Sequence, residues 1–387
     1  MNSVDGNTNY EREIMAGYHD INKMNPLAQL GKQFIRALIT EKKQKRLHAY
    51  LKDRSRAKMI RSVCQDKAGQ LRDLSHACLK HLSPVTAPLA LIAPFQYSGG
   101  AELSRLFDGH PQILALPPER MIGRTLKTFR NDISQNESPQ QWLESVFEEL
   151  HPGTRSNDDG QGKKLLAGSP YVFLPHLQQL LFLKALQEKE VTARNLFNAY
   201  LSSCFGAWMN YQYIGPDKKF VTTFAPGVVT NSAAMDSFFK TYPDGKVIFL
   251  IRSPEDWYRH AARNDPDAYM DLPAALNRWK DYANNAKEAK SRFKDRVCLI
   301  EFKDLVTKTK PVMRYLADFL EIEYHDILLT QTFNRVPVSP LKVSGIGAWF
   351  AMDGETARFD LSTEQGEFIS EMTTEVQQSV LHATASI

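Results

Sequence analysis

The chain has 387 residues, 48 Lys and Arg against 44 Asp and Glu, a net charge of +4 and four cysteines. Its length allows one large α/β domain with additions, or roughly two to three smaller domains. No run of about 18 apolar residues occurs, so no membrane span is expected, and the scattered Cys64, Cys78, Cys204 and Cys298 form no CxxC pair, which excludes a zinc ribbon or a disulfide scaffold. The opening MNSVDGNTNYEREIM has no basic-then-apolar leader pattern. With the reduced thiols, this makes a cytoplasmic protein the expectation.

Charge is unevenly spread. Residues 1–80 hold 16 Lys/Arg and 8 Asp/Glu, a surplus of 8, while the remainder has a deficit of 4. Tyr10 to Leu82 reads as helical throughout, with Phe34, Ile35, Leu38 and Ile39 at helical spacing. Between Glu41 and Arg61 nine basic residues face only Glu41 and Asp53. Tyr50 is the one Phe, Tyr or Trp among them, too few for the interleaving that nucleic-acid binding would require, so a solvated face is the expectation, docking to an anionic surface or partner the alternative, and no nucleic-acid partner is assigned.

Next comes PLALIAPFQYSGGAELSRLFDGHP, from Pro88 to Pro111. Leu89 to Ala93 is short, apolar and uncharged, as a buried parallel strand is. Ser98-Gly99-Gly100 turns the chain into a helix with Leu103, Leu106 and Phe107 on one face and Arg105 off it. Asp108-Gly109 and Pro111 end that helix. A strand, a Gly-rich turn and a helix N-terminus make an anion cradle, because glycines let the backbone approach and the first N–H groups point outward. They also make an ordinary βα turn, and these residues alone leave both readings open. The ATP-type loop is excluded, since no GxxxxGK[ST] occurs in this stretch.

Downstream, Ile113 to Leu116 reads as a short strand closed by Pro117-Pro118, with Glu119 and Arg120 opening a helix. Ser138-Pro139 caps a helix from Gln140, His151 to Lys163 is a polar loop, and Pro175–Glu190 and Val191–Tyr211 are long helices. Lys219–Phe224, Lys246–Ile251 and Val297–Phe302 are strands, with helices over Asn231–Thr241, from Glu255, over Leu272–Phe293 and over Pro311–Leu320. Phe333 to Asp353 has an irregular pattern, and Thr363–His382 is a terminal helix. Alternating strands and helices predict an α/β fold, a P-loop-like parallel sheet flanked by helices, behind a helical N-terminal extension. The expected domains are the extension at 1–85, the α/β domain at 86–345, and a tail and helix at 346–387 packed on it. In such sheets ligands sit beyond the carboxyl ends of strands, where Ser98 and Arg252 both fall.

Three landmarks in order resemble the sulfotransferases that use 3′-phosphoadenosine-5′-phosphosulfate (PAPS). SGG followed by SRLFDGHP resembles the 5′-phosphosulfate loop, KVIFLIRSPEDWYRHA the 3′-phosphate segment, and LIEFKDLV with MRYLADFLEI the closing strand and helix. The resemblance spans Leu89 to Asn334. It implies that Ser98, Gly99 and Gly100 offer backbone N–H groups to the phosphosulfate and that Arg252 pairs with the 3′-phosphate. The alternative for Arg252 is a strand-end arginine paired with Glu255 or Asp256. Four positions depart from the family pattern: Tyr97 stands for a basic residue, Ala101 for a threonine, Glu102 for an apolar residue and His260 for a serine. Tyr97 and Ala101 remain cofactor-loop positions, with the Tyr97 hydroxyl a candidate donor there. His260 is a candidate cation for the 3′-phosphate or a space-filler.

By the same resemblance Glu119 takes the place of the base that deprotonates an acceptor hydroxyl, its alternative being a first-turn helix acid. His110 is the second candidate base, or a structural residue of its turn. No metal is implied, since direct sulfuryl transfer needs none and no His/Cys/Asp cluster has metal spacing. The implied function is sulfuryl transfer from PAPS to a small-molecule or carbohydrate hydroxyl. The alternative is a protein of the same fold that has lost transfer chemistry and binds or scaffolds. Trp208, Tyr211, Tyr213, Trp257 and Tyr258 are candidates for stacking on an acceptor, or core residues.

Overall fold

In the computed structural model, residues 58, 68–117, 138–139, 141–142, 173–211, 217–226, 232–338 and 361–385 are described. The chain divides into two compact units, Met1–Asp73 and Leu74–Ile387; the second carries the sheet.

In chain order the elements are α1 (Ala68–Lys80), β1 (Leu89–Ile92), α2 (Gly100–Phe107), β2 (Ile113–Ala115), α3 (Pro175–Leu186), α4 (Ala193–Ala207), β3 (Phe220–Phe224), α5 (Ser232–Thr241), β4 (Lys246–Ile251) and α6 (Pro254–Asn264). Then follow α7 (Pro266–Tyr269), α8 (Leu272–Phe293), β5 (Val297–Glu301), α9 (Phe302–Thr307), α10 (Thr309–Phe319), the short strands β6 (Thr332–Phe333) and β7 (Val336–Pro337), and α11 (Thr363–Leu381). Helix starts follow local chemistry. Thr192, Ser253 and Asp271 each accept a backbone N–H three residues on, at the heads of α4, α6 and α8. Ser362 and Gln365 cap α11 reciprocally.

The main sheet has the order β2-β3-β1-β4-β5. All its pairings are parallel, with Leu91 opposite both Thr223 and Val247. The expected fold class is therefore found: a five-stranded parallel sheet flanked by helices. β1 is central and buried on both faces, which is why its sequence reads as a continuous apolar run instead of an alternation. Period-two geometry sends Leu89 and Leu91 to one core, with α3, α4, α5, α6 and α8, and Ala90 and Ile92 to the other, with α2 and α10. From β1 the chain moves outward past β3 to reach β2, while β4 lies on β1's other side. The carboxyl ends of β1 and β4 thus border the crevice where strand order reverses.

Three short elements depart from the sequence expectation. Phe302, expected as the last strand residue, begins α9, and α7 follows α6 where no element was expected. Thr332–Pro337 pairs as a two-stranded hairpin that starts one residue before the stretch read as irregular from Phe333 and runs into it. Asp108 anchors that hairpin: its carboxylate accepts from the Thr332 hydroxyl at 2.6 Å and from the Arg335 N–H at 2.9 Å. β5 forms one edge of the sheet, and the Ala385 N–H donates to its Leu299 carbonyl at 2.9 Å.

Buried aromatic donors hold the two strand ends beside the crevice. The Tyr282 hydroxyl reaches the Leu250 carbonyl at 3.0 Å and the Ala93 carbonyl at 3.3 Å, bridging β4 and the end of β1. Trp257 Nε1 donates to the Gln96 carbonyl at 2.8 Å, and Trp279 Nε1 to the Arg252 carbonyl at 3.1 Å. Each satisfies a backbone acceptor where the strand ladder has run out. Tyr282→Phe leaves those carbonyls without their donor and is expected to lower stability by about 1–3 kcal/mol. A urea titration checks this: the midpoint should fall with the slope unchanged, and an unshifted midpoint would refute the bridge.

Candidate functional site

The turn after β1 is built by sterics. Ser98 N–H donates to the Phe95 carbonyl at 3.1 Å, and the chain then passes through two left-handed residues, Tyr97 at φ 66° and Gly99 at φ 90°. Gly99 is forced twice over. Its φ disfavours a side chain, and a Cβ there would lie 2.2 Å from the Phe302 ring. A Cβ on Gly100 would lie 2.2 Å from Pro94 and 2.7 Å from Phe224. Both glycines let backbone pack where no Cβ fits. Gly99 caps α2 with no side-chain bond, so the first N–H groups of α2 are not claimed by a cap. The Ser98 hydroxyl is buried at 1% exposure, with no hydrogen-bond partner. A bared helix start with an unspent hydroxyl fits an anionic group such as the PAPS phosphosulfate. Ala101, on the first turn of α2, is half-buried and adds only a methyl.

Arg252 reaches this turn from the end of β4. Its Nη1 donates to the Tyr97 carbonyl at 3.2 Å, and its guanidinium lies over the Phe302 ring at 4.9 Å. Burial draws its pKa down to about 10, with Asp256 and Glu102 opposing, so it remains a cation at neutral pH. Of its two alternative partners, Glu255 pairs with Arg259 at 2.5 Å, while Asp256 accepts from the Ser253 hydroxyl at 2.8 Å. Arg252, Ser253, Asp256, Glu301, Phe302 and Lys303 line a cavity of about 470 Å³ at the carboxyl ends of β4 and β5, with α11 as a further wall.

The family departures take definite places. Tyr97 turns its ring edge-on to His260 at 5.6 Å and to Tyr269 at 5.7 Å. Burial first, then the charge of the Asp265 carboxylate, raises the phenol's pKa, so the hydroxyl stays protonated beside an acidic group. His260 is held by Asn264, whose Nδ2 lies 3.0 Å from Nδ1. Burial, with Arg252 and Arg263, draws its pKa down to about 3. The ring is thus neutral at pH 7 in this structure, hydrogen-bonded to Asn264 and packed against Tyr97. Glu102 is half-buried. Burial raises its pKa, opposed first by Arg105 and, more weakly, by Arg252. Arg105, placed off the apolar face by helical periodicity, is only 6% exposed.

Glu119 lies outside the described residues, as do Tyr213 and the loop from His151 to Lys163. His110 lies before β2, at the other end of the sheet. The Gln112 N–H donates to its Nδ1 at 3.2 Å, so Nε2 carries the proton and donates to the Glu323 carbonyl at 2.9 Å. It is a buried structural residue. Trp257, Tyr258 and Trp208 are buried in the core. A cavity of about 680 Å³ lies between α1, the segment entering β1, the end of α4 and Lys218, away from the crevice. Three residues that matter were missed in the sequence. Phe302 was read only as a strand end and Lys303 only as part of the closing landmark, although they sit at a strand's carboxyl end as Arg252 does. Asp265 had no pattern that marked it. Among the described residues no group of His, Cys, Asp and Glu could hold a metal ion, and no helix is long and apolar enough to cross a membrane.

A parallel sheet with a glycine turn and an arginine at the carboxyl ends of adjacent strands defines an α/β protein with its candidate site in the crevice at those ends. The sulfotransferase family model matches residues 91–326, and the chain belongs to that family. Among solved structures, it resembles the sulfotransferase domain from the Synechococcus PCC 7002 olefin synthase, with 16% identity over 75% of this chain and 95% of that one and a TM-score of 0.44. A sulfotransferase from Alicyclobacillus acidocaldarius shows 13% identity over 77% and 96%, with a TM-score of 0.42. Mouse sulfotransferase SULT7A1, complexed with PAP, shows 14% over 81% and 91%, with a TM-score of 0.35. No curated protein matches the chain by sequence at a significant level.

Gly99→Ala combines the left-handed backbone with the Phe302 clash and is expected to cost about 1–3 kcal/mol. Thermal unfolding should show a smaller cost for the same substitution in a Phe302→Leu background. Equal cost in both backgrounds would refute the ring as the obstacle. His260 predicts a pH effect. Its pKa falls from 6.5 to about 3 on folding, so in that window the unfolded chain binds a proton that the native one does not. Stability therefore declines as pH drops from about 6.5 towards 3, by at most about 1.4 kcal/mol per unit from this group. His260→Gln should flatten that decline in acid-side unfolding curves, and an unaltered slope would contradict it.

Proposed function

We propose that the protein transfers a sulfuryl group from PAPS to the hydroxyl of a small-molecule or carbohydrate acceptor. The observation that carries this is the bond between the two strand ends: Arg252 at the end of β4 donates to the Tyr97 carbonyl, at 3.2 Å, in the glycine turn after β1. One anion-binding turn and one arginine are thereby held as a unit, as a donor with phosphate at its 5′ and 3′ ends requires. When bound, PAPS supplies the activated sulfuryl group. Gly99 and Gly100 hold its phosphosulfate through backbone N–H groups and Ser98 through its hydroxyl, its own N–H being given to the Phe95 carbonyl, and together they stabilise charge on the leaving oxygen. Ala101 shapes the turn without adding a donor. Arg252 anchors the 3′-phosphate. Glu119 takes the proton from the acceptor hydroxyl. The chain works in the cytoplasm, where a nucleotide donor is available.

A second reading is favoured by specific observations. The Tyr97 phenol stands where the family has a cation and lies near the Asp265 carboxylate, His260 is neutral in this structure, and Glu102 adds a carboxylate near Arg252. These are the features of a sulfotransferase fold that keeps its nucleotide site and has lost transfer. Calorimetry with adenosine 3′,5′-bisphosphate (PAP) and a sulfate-transfer assay on a broad hydroxyl panel separate the two. Binding with transfer supports the first, binding without transfer to any member supports the second, and no binding at millimolar PAP sinks both. Arg252→Ala is expected to weaken PAP binding by on the order of 1.5–3 kcal/mol, one charge-assisted contact. An unchanged dissociation constant refutes the assignment of Arg252.

A further inference from the structure

A donor with phosphate at both ends carries more negative charge than one guanidinium offsets, and neither the Tyr97 phenol nor the neutral His260 ring adds a positive charge. The 470 Å³ cavity contains a second cation. Lys303 lines it together with Arg252 and follows directly after Phe302, the ring on which Arg252 rests. Lys303 is exposed, and its ammonium makes no ion pair among the described residues. Asp304, its sequence neighbour, pairs instead with Lys308 at 3.3 Å. The Ser253 and Thr307 side chains and Gln377 from α11 line the same cavity, so it combines hydroxyl and amide groups with an uncommitted charge.

We infer, resting on the PAPS reading above, that Lys303 is the second cation of the 3′-phosphate pocket, acting with Arg252 and setting the preference for a 3′-phosphorylated nucleotide over one without that phosphate. The positive charge that other family members carry beside the glycine turn is here supplied in part from the end of β5. Two carboxylates share the cavity. Asp256 is bonded to the Ser253 hydroxyl and offsets Arg252. Glu301 has its pKa raised by burial and then by Asp304, with Lys303 opposing. A phosphate between Arg252 and Lys303 raises it further, so Glu301 opposes binding whenever it is ionised.

The test is calorimetric titration of the full chain with PAP and, separately, with adenosine 5′-monophosphate, which lacks the 3′-phosphate. Lys303→Met keeps the aliphatic stem at an exposed position and should weaken PAP binding about tenfold while changing the monophosphate by less than about twofold. Lys303→Arg should retain most PAP affinity, and Glu301→Gln should tighten it. PAP binding that Arg252→Ala weakens and Lys303→Met leaves untouched overturns this inference alone. Equal losses for both nucleotides in Lys303→Met overturn it as well, since the side chain would then not read the 3′-phosphate. Failure of the wild-type chain to bind PAP at all overturns the underlying reading and the inference with it.

Discussion

One aromatic ring sets the geometry of the crevice. Phe302 stands at the end of β5 with Gly99 against one part of it and the Arg252 guanidinium 4.9 Å from its centroid. Three strand ends thus meet on six carbon atoms. The glycine is required because the ring occupies the space a Cβ would need. The arginine is oriented because a planar cation rests well on a planar π-face. A flexible lysine in its place would have no such surface to lie along. The ring therefore converts a short separation in the sheet into a fixed relation between the glycine turn and a cation.

Behind the ring, the same ends are tied from the core side. Tyr282, Trp257 and Trp279 deliver a hydroxyl and two indole N–H groups to carbonyls of Ala93, Leu250, Gln96 and Arg252. Large aromatic side chains suit this task because they bury much apolar surface and still bring one donor to a chosen point. The electrostatics are leaner. Several groups near the turn carry no positive charge: a histidine with its pKa drawn far below 7, a phenol kept protonated by burial and the nearby Asp265 charge, and a glutamate pushed towards its protonated form. Shape is preserved more fully than charge.

Much of the fold was legible because parallel strands buried on both faces leave an unmixed apolar signature, as LALI and KVIFLI do. Arg252 was legible because it follows such a strand directly. The sheet order was not, since nothing local distinguishes a strand that pairs inward from one that pairs outward. Phe302 was misread as strand because a helix begins at the very residue where β5 stops, and an aromatic residue fits either. Arg105 was misplaced because helical periodicity describes one face, while α2 is packed on more than one side. The charge state of His260 depends on burial and on Arg252 and Arg263, of which Arg252 lies on a different element. No window of sequence contains that information.

The bond from Ala385 to Leu299 bears on how copies of this protein avoid one another. An edge strand displays unpaired backbone groups to any passing strand, and β5 is apolar enough to be an attractive template. By folding its last described residues back onto that edge, the chain occupies one of those acceptors with its own backbone. The C-terminal segment therefore covers part of that edge as well as walling the cavity beside Arg252. One stretch of about twenty-five residues serves both the sheet edge and the cavity.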